Sequence, residues 1–129
     1  MLLPAFVLLA SFGCGPSVPV PVPVHGKVTL DGVPLAEGQI SFITPGQVPE
    51  VIPIKDGVYD GRATWGSRRV EVAAYRPYKI PADIPKSMHS MMQDGKENYL
   101  PNKYNYESTL TAEVAAKGDN AFNFELSSK

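Results

Sequence analysis

Three features of the sequence predict an all-β sandwich of about seven antiparallel strands. Short runs alternate apolar and polar residues with a period of two, which is typical of strands with one buried and one solvated face. Turn-forming residues separate these runs. The 129 residues include 13 prolines and 11 glycines, a composition that favours strands and turns over long helices. Two stacked sheets would bury the apolar sides of the strands against each other.

Five runs show the alternation, and in each run every second residue is apolar. We expect these residues to face the core. They are Val28 and Leu30 in residues 27–30, Ile40 and Phe42 in residues 38–42, Val70 and Val72 in residues 69–74, Leu110, Ala112 and Val114 in residues 109–114, and Phe122, Phe124 and Leu126 in residues 121–126.

Turn residues lie between the runs. Asp31-Gly32 and Asp56-Gly57 are pairs that favour tight turns with positive φ. The segment Gly118-Asp119-Asn120 predicts a hairpin between the last two strands. At the start of the third run, Arg68 and Arg69 form a basic pair that we expect to be solvated at a strand edge.

Residues 77–106 interrupt the strand pattern, and we interpret them as one long loop insertion. Connections of this length are uncommon in compact domains and are often functional. The insertion is rich in tyrosine and also contains Ile80, Ile84 and Leu100. These apolar side chains predict that the insertion packs on the sandwich.

The N-terminal segment has the features of an export signal. Residues 2–10 are apolar, but a bilayer-spanning helix needs about 20 such residues. Small residues and the only cysteine, Cys14, follow, and this arrangement resembles the signal of bacterial lipoproteins. The resemblance implies a signal peptide over residues 1–13, a lipidated Cys14, and an exported protein anchored to a membrane of the cell envelope, facing the periplasm or the exterior. The alternatives are a plain signal peptide with an incidental cysteine and a buried N-terminal segment.

A proline-rich segment follows Cys14, with proline at every second position from 19 to 23. Such a segment favours extended polyproline II geometry, in which the nine residues 16–24 would span roughly 28 Å. We therefore predict a lipidated Cys14 and tether over residues 14–24 and a folded domain over residues 25–129. The alternative is an edge strand whose alternating valines pack on the domain.

Charge and motif content exclude several function classes. The 12 basic residues against 13 acidic ones argue against a nucleic-acid-binding protein. A single cysteine excludes an intramolecular disulfide and a four-cysteine zinc site. The sequence has no zinc-peptidase, nucleophile-elbow or Walker motif. Asp56 and Asp60 could in principle act as a carboxylate pair, but Asp56 is explained by its turn, so we predict no enzyme and no cofactor.

Two clusters in the insertion are candidate binding residues. Thioether and imidazole groups are soft ligands suited to Cu(I), so the first cluster is a candidate metal site. Methionine also fills gaps in cores and forms adaptable interaction surfaces, and both alternatives stay open. The second cluster consists of tyrosines that are candidates for partner binding, and for Tyr104 a structural role before the next strand is an equal alternative. The first cluster is Met88, His89, Met91 and Met92. The second cluster is Tyr99, Tyr104 and Tyr106.

Several segments resemble known β-sandwich proteins. The sequences HGKVTLDGVPL (25–35), GQISF (38–42) and KDGVY (55–59) are similar to carboxypeptidase-regulatory-like domains. The segments 101–105, 108–111 and 120–126 resemble the same domain in small bacterial lipoproteins. The resemblance covers residues 24–127 and implies a seven-stranded, transthyretin-like Greek-key sandwich without peptidase activity.

These observations lead to one principal functional hypothesis and two alternatives. The first is a lipid-anchored, non-catalytic structural or protein-interaction module that contacts an envelope protein or glycan through residues 77–106. The second is a periplasmic Cu(I)-binding protein that uses residues 88–92. The third is a carbohydrate-binding module, for which Trp65 with Tyr59 or Tyr75 would supply the aromatic surface. We expect His25 to be structural.

Overall fold

A computed structural model describes residues 18–78, 80–91 and 95–129. The predicted signal segment, Cys14 and Met92 lie outside these residues. Within them, the chain forms the following elements in order: β1 (Pro21–Leu30), β2 (Val33–Pro34), β3 (Glu37–Ile43), β4 (Glu50–Lys55), β5 (Val58–Thr64), β6 (Gly66–Ala73), β7 (Tyr75–Pro77), α1 (Lys86–His89), β8 (Lys96–Asn98), a 3-10 helix (Asn102–Tyr104), β9 (Thr111–Val114) and β10 (Phe124–Leu126).

The main sheet curls over itself and gives the all-β sandwich that the sequence predicts. Seven strands follow the order β10-β1-β5-β4-β3-β6-β9, and β2 pairs with β1. The strands β4 and β5 pair only beside their turn, at Lys55 and Val58, so the two halves of the sheet separate beyond this point. The Phe42 ring of one half lies 6.1 Å from that of Tyr59 and 6.3 Å from that of Phe122 in the other half. The core therefore lies between the halves.

The predicted inward-facing residues supply about half of this core. Eight of them are buried: Val28, Ile40, Phe42, Val70, Val72, Ala112, Val114 and Leu126. The other four are partly buried against the core: Leu30, Leu110, Phe122 and Phe124.

Both Asp-Gly turns form as predicted. Asp31 and Asp56 adopt φ values of 52° and 51°, and the following glycines adopt 80° and 75°. These values match tight turns that fit the twist of the strands on either side.

The predicted hairpin between the last two strands is wrong. The strand β9 pairs with β6 at one edge of the sheet, whereas β10 pairs with β1 at the other edge. The pairing of β1 with β10 is parallel, which also departs from an entirely antiparallel sheet. Residues 115–123 carry the chain across, and the backbone N–H of His25 donates to Asn120 O at 3.0 Å on the way.

The proline-rich segment joins the sheet earlier than predicted. Residues 21–24 belong to β1 and pair with β5, so the structure corrects the predicted tether, which extended to residue 24. Val24 is buried and Val22 is partly buried, while Pro21 and Pro23 are exposed. Among the described strands, only β5 pairs with this part of β1. This stretch is therefore locally an edge, where proline is tolerated.

The insertion packs on the sandwich as predicted, and it covers one edge of β6. The strand β9 pairs with residues 66–69 only. Beyond them, side chains and loop backbone supply the hydrogen bonds. The backbone of Ala74 accepts from Tyr99 N and donates to Asn98 Oδ1, Asn105 Nδ2 donates to Val72 O, and Ser108 Oγ donates to Val70 O.

The strand directions define two ends of the sandwich. The N-terminal end contains the start of β1, the loop 44–49, the turn 64–66 and the loop 115–120. The distal end contains both Asp-Gly turns, the start of β3 and the β7–β8 pair.

Candidate functional site

An open groove lies at the distal end. It consists of two adjoining depressions of about 270 and 480 Å³ that share Glu37, Lys55 and Tyr75. The larger of the two volumes lies within the range of about 300–1,000 Å³ that is typical of small-ligand sites. The remaining lining residues are Gly38, Gln39, Pro53, Ile54 and Lys96 in the first depression, and Ala36, Asp56 and Tyr99 in the second.

Strand register brings the groove residues together. Glu37 and Gln39 of β3 lie opposite Lys55 and Pro53 of β4. Gln39 also lies opposite Ala73, at the end of β6. Because β7 begins two residues later, Tyr75 reaches the same end of the sheet. The strand β8 pairs with β7 and adds Lys96.

The two groove tyrosines are exposed, and hydrogen bonds order the backbone beside them. Tyr75 is 51% exposed and Tyr99 is 37% exposed. The Arg76 guanidinium lies 5.6 Å from the centre of the Tyr99 ring, and its Nε donates to Glu97 Oε1 at 2.7 Å. Asn98 Oδ1 accepts from the backbone N–H groups of Ala74 and Leu100, both at 3.1 Å, which ties the backbone just before Tyr75 to the backbone just after Tyr99.

The charges in the groove are balanced. Two acidic residues, Glu37 and Asp56, and two basic residues, Lys55 and Lys96, line it. The groove therefore offers hydrogen-bond donors and acceptors together with aromatic contact area. In the part of the chain that the structure describes, no group of three or more His, Cys, Asp or Glu side chains is placed to hold a metal ion.

The structure separates the three predicted partner-binding tyrosines. Tyr99 lines the groove. Tyr104 is buried and its hydroxyl accepts from Ser127 N at 2.8 Å, so the structure corrects its predicted role to a structural one. Tyr106 is exposed, lies outside the groove lining, and accepts a hydrogen bond from Asn102 Nδ2.

Sequence reasoning did not select Tyr75, Glu37 or Lys96 as partner-binding residues. Tyr75 has a local signal, because an aromatic residue follows directly after the alternating run of β6. Glu37 and Lys96 have no such signal, since only strand pairing places them beside Tyr75.

The described residues of the methionine cluster lie on and just after α1. Met88 is 50% exposed and Met91 is 86% exposed, so neither fills a gap in the core. Met91 N donates to Met88 O at 3.2 Å, which places the two residues on one turn. His89 Nε2 lies 3.0 Å from Ile84 O, in hydrogen-bond contact.

The predicted aromatic surface for carbohydrate does not form. Tyr59 is buried and its hydroxyl donates to Phe122 O at 2.7 Å. Trp65 lies at the N-terminal end, whereas Tyr75 lies at the distal end. These three residues therefore do not share a surface.

Two further basic and ionisable groups have structural roles. Arg68 is buried, and its guanidinium donates to Thr64 O at 2.8 Å and to Trp65 O at 2.7 Å, so its predicted role as a solvated edge residue is wrong. His25 Nε2 lies 2.6 Å from Asp119 Oδ1, which is consistent with the structural role expected for this histidine.

No family model matches the chain, and comparisons with curated proteins and with solved structures also give no match. The resemblance to carboxypeptidase-regulatory-like domains therefore stays a prediction. Among the helices that the structure describes, none has the length and apolar character needed to cross a bilayer.

Proposed function

We propose that this chain is a lipid-anchored, non-catalytic interaction module of the cell envelope that binds an extended segment of a partner protein in the distal groove. One observation carries the proposal: Tyr75 and Tyr99, both exposed, line an open groove whose charges are balanced. Tyrosine supplies a large contact area at low entropic cost and is enriched in interfaces. Balanced donors and acceptors suit the backbone of a bound peptide segment.

The anchor in this proposal is Cys14. Support comes from the apolar run and small residues that precede this single cysteine. Several acyl chains on one residue would give stable attachment, since membrane affinity grows by about 0.8 kcal/mol per buried methylene. The test is the mass of the protein extracted from bacterial membranes in mild detergent. We expect a chain that begins at Cys14 and carries acyl mass, and an unmodified chain would refute the anchor.

Site-specific photo-crosslinking tests the groove. A photoreactive phenylalanine analogue would replace Tyr75 or Tyr99 in cells, with Tyr106 as the matched control because it is an exposed tyrosine outside the groove lining. We expect a discrete protein adduct from both groove positions and none from Tyr106. A stronger adduct from Tyr106 would refute the groove as the binding surface.

The same experiment separates a protein partner from a glycan. An adduct from the groove positions that resists protease and carries sugar mass would replace the protein partner by a carbohydrate. This alternative is chemically reasonable because sugars stack on aromatic rings and exchange hydrogen bonds with charged side chains.

Cu(I) binding is the second candidate function, favoured by the exposure of Met88 and Met91 on one turn beside His89. We would titrate the full chain with Cu(I) against a chromogenic chelator. A copper protein would bind one tight equivalent, which a Met88→Leu/Met91→Leu variant would lose and a His25→Gln variant would keep. No competition with the chelator would exclude this function.

A further inference from the structure

The N-terminal end of the sandwich presents exposed valines from two of its segments. Val18 and Val20 precede β1, and Val48 belongs to the loop that joins β3 to β4 at the same end. All three are exposed, Val48 by 88%. Trp65 lies in the adjacent turn, where its backbone N–H donates to Val20 O at 3.2 Å. The Trp65 side chain is only partly buried.

The segments at this end also carry few charges. Residues 18–20, 44–49 and 64–66 contain no Lys, Arg, Asp or Glu. The loop 115–120 contains Lys117 and Asp119, and Asp119 contacts His25 at 2.6 Å. Glu50 follows the loop 44–49, and its Oε1 accepts from Thr64 N at 2.7 Å, so this carboxylate is held against the protein.

The distal end differs mainly in its charge. It also has an exposed valine, Val33, but charged residues surround it in the turns and in the groove. These include Asp31, Glu37, Lys55, Asp56, Arg76, Lys96 and Glu97. Moving charges from water towards a bilayer is costly, whereas valine, proline and tryptophan are tolerated at its interface. Of the two ends, the N-terminal end is therefore the one suited to contact lipid.

The chain length between the anchor and the domain limits how far this end can stand from a membrane. Seven residue steps separate Cys14 from Pro21, and together they reach at most about 25 Å. The ten residues of β1 alone extend about 33 Å. A lipid on Cys14 would therefore keep the N-terminal end nearer to the bilayer than the distal end when the strands stand upright.

We infer that the N-terminal end docks on the bilayer surface, with Val18, Val20 and Val48 in the interface and the distal groove directed away from the membrane. This inference rests on the proposed lipid anchor and extends it. The short connection brings the surface to the bilayer, and the absence of Lys, Arg, Asp and Glu from residues 18–20, 44–49 and 64–66 lets these segments remain there. The groove then stays accessible to a partner in the adjoining compartment.

Trp65 provides the test because it is the only tryptophan in the chain. The lipidated full-length protein would be reconstituted in phosphatidylcholine vesicles whose acyl chains carry bromine near the headgroup. Bromine quenches tryptophan fluorescence at short range. We expect loss of most Trp65 fluorescence in brominated vesicles relative to unbrominated ones.

Two matched variants locate the contact. Val48→Asp would introduce a charge into the docked loop, and we expect it to restore most of the Trp65 fluorescence. Val33→Asp places the same change at an exposed valine of the distal end and should leave the quenching unchanged. Circular dichroism and thermal unfolding of both variants would verify that they fold, which we expect because both side chains are exposed.

The outcomes separate this inference from the proposed anchor. Protein that carries acyl mass but shows no quenching would overturn the docking and leave the anchor standing. Quenching that Val48→Asp leaves unchanged would also overturn it. Protein without acyl mass would refute the anchor, and the docking geometry would fall with it.

Discussion

The two ends of the sandwich use their polar side chains in different ways. At the N-terminal end, Asn120 and Arg68 are buried and their side chains bond to loop carbonyl groups. At the distal end, Glu37, Lys55 and Lys96 remain on the surface of the groove. A buried polar group that is fully bonded closes a loop, whereas an exposed one is free to meet a ligand. The comparison explains why the candidate binding site lies at the distal end.

Two asparagines show the contrast at the level of single residues. Asn120 Oδ1 accepts from Ala115 N at 2.8 Å, and its Nδ2 donates to Ala115 O at 2.9 Å and to Pro23 O at 3.4 Å. Asn98 Oδ1 accepts from two backbone N–H groups but is only partly buried. The first amide joins a loop to β1, and the second orients the segment that carries Tyr99.

The largest effect is expected from Gly26→Ala, which would open the N-terminal end. A Cβ on Gly26 would lie 1.8 Å from Phe122 O and 2.8 Å from the Tyr59 hydroxyl, so the segment that leaves loop 115–120 would be displaced from β1. We expect a loss of about 4 kcal/mol or more in the free energy of unfolding, measured by urea denaturation.

Gly118→Ala is the matched control for this prediction. Gly118 adopts a φ of 96°, and a Cβ there would meet no atom within 4 Å. The expected loss is about 1 kcal/mol, from backbone strain alone. Equal losses for the two variants would contradict the tight crossing at Gly26.

The next largest loss of stability is expected from Asn120→Ala, and Asn98→Ala is the variant to compare with it. Removal of the buried Asn120 amide leaves the N–H and C=O of Ala115 without their partner, and we expect a loss of about 2–3 kcal/mol in the free energy of unfolding. For Asn98→Ala, we expect about 1 kcal/mol, because this change removes a single acceptor atom, whereas Asn120→Ala removes both an acceptor and a donor. Urea denaturation of both variants measures the difference, and a larger loss for Asn98→Ala would reverse the comparison.

A smaller loss of stability is expected at alkaline pH from Tyr59 of β5. Its hydroxyl donates to Phe122 O, in the segment that follows loop 115–120. Burial raises the pKa of the Tyr59 hydroxyl above its ordinary value of 10.0. The folded protein therefore keeps a proton that the unfolded chain loses, so the free energy of unfolding is undiminished below pH 10 and falls as the pH rises above it. Urea denaturation at pH 9, 10 and 11 measures this slope.

Tyr59→Phe should flatten the alkaline slope and lower stability at neutral pH, because Phe122 O loses its donor. A slope that persists unchanged in this variant would show that another group causes it.

The elements that the sequence predicted correctly are those encoded by neighbouring residues. Alternation in residues 69–74 places Val70 and Val72 in the core, and Asp31-Gly32 forms its turn by itself. The elements that were mispredicted depend on distant partners. Pro21 belongs to a strand only because β5 lies beside it, and the parallel position of β10 depends on how residues 115–123 cross the fold.

The candidate site shows the same limit. The position of Tyr99 in the insertion predicts a binding role, and Tyr99 does line the groove. The same reasoning applies to Tyr104, but this residue is buried and bonded to the C-terminal segment. A tyrosine has one apolar and one polar part, so composition does not separate the exposed position from the buried one. In the fold, the backbone N–H of Ser127 donates to the Tyr104 hydroxyl, so this polar group has a partner when the ring is buried.

The smallest predicted effect concerns Asp31 at the distal end. Hydrogen bonds from the Ser128 side chain and backbone lower the pKa of the Asp31 carboxyl below its ordinary value of 3.8. The stability that this contact contributes is present above pH 3.8 and is lost as the pH falls through the lowered pKa of the folded protein. The contact is fully exposed and hence screened by solvent, so we expect only a slight change in the unfolding midpoint. Acid titration of the Ser128 amide NMR signal measures the contact directly, with Asp31→Asn as the control because asparagine also tolerates positive φ. A Ser128 signal that shifts equally in both proteins would show that the carboxylate is not the cause, and this exposed end would then hold its C-terminal residues without the help of Asp31.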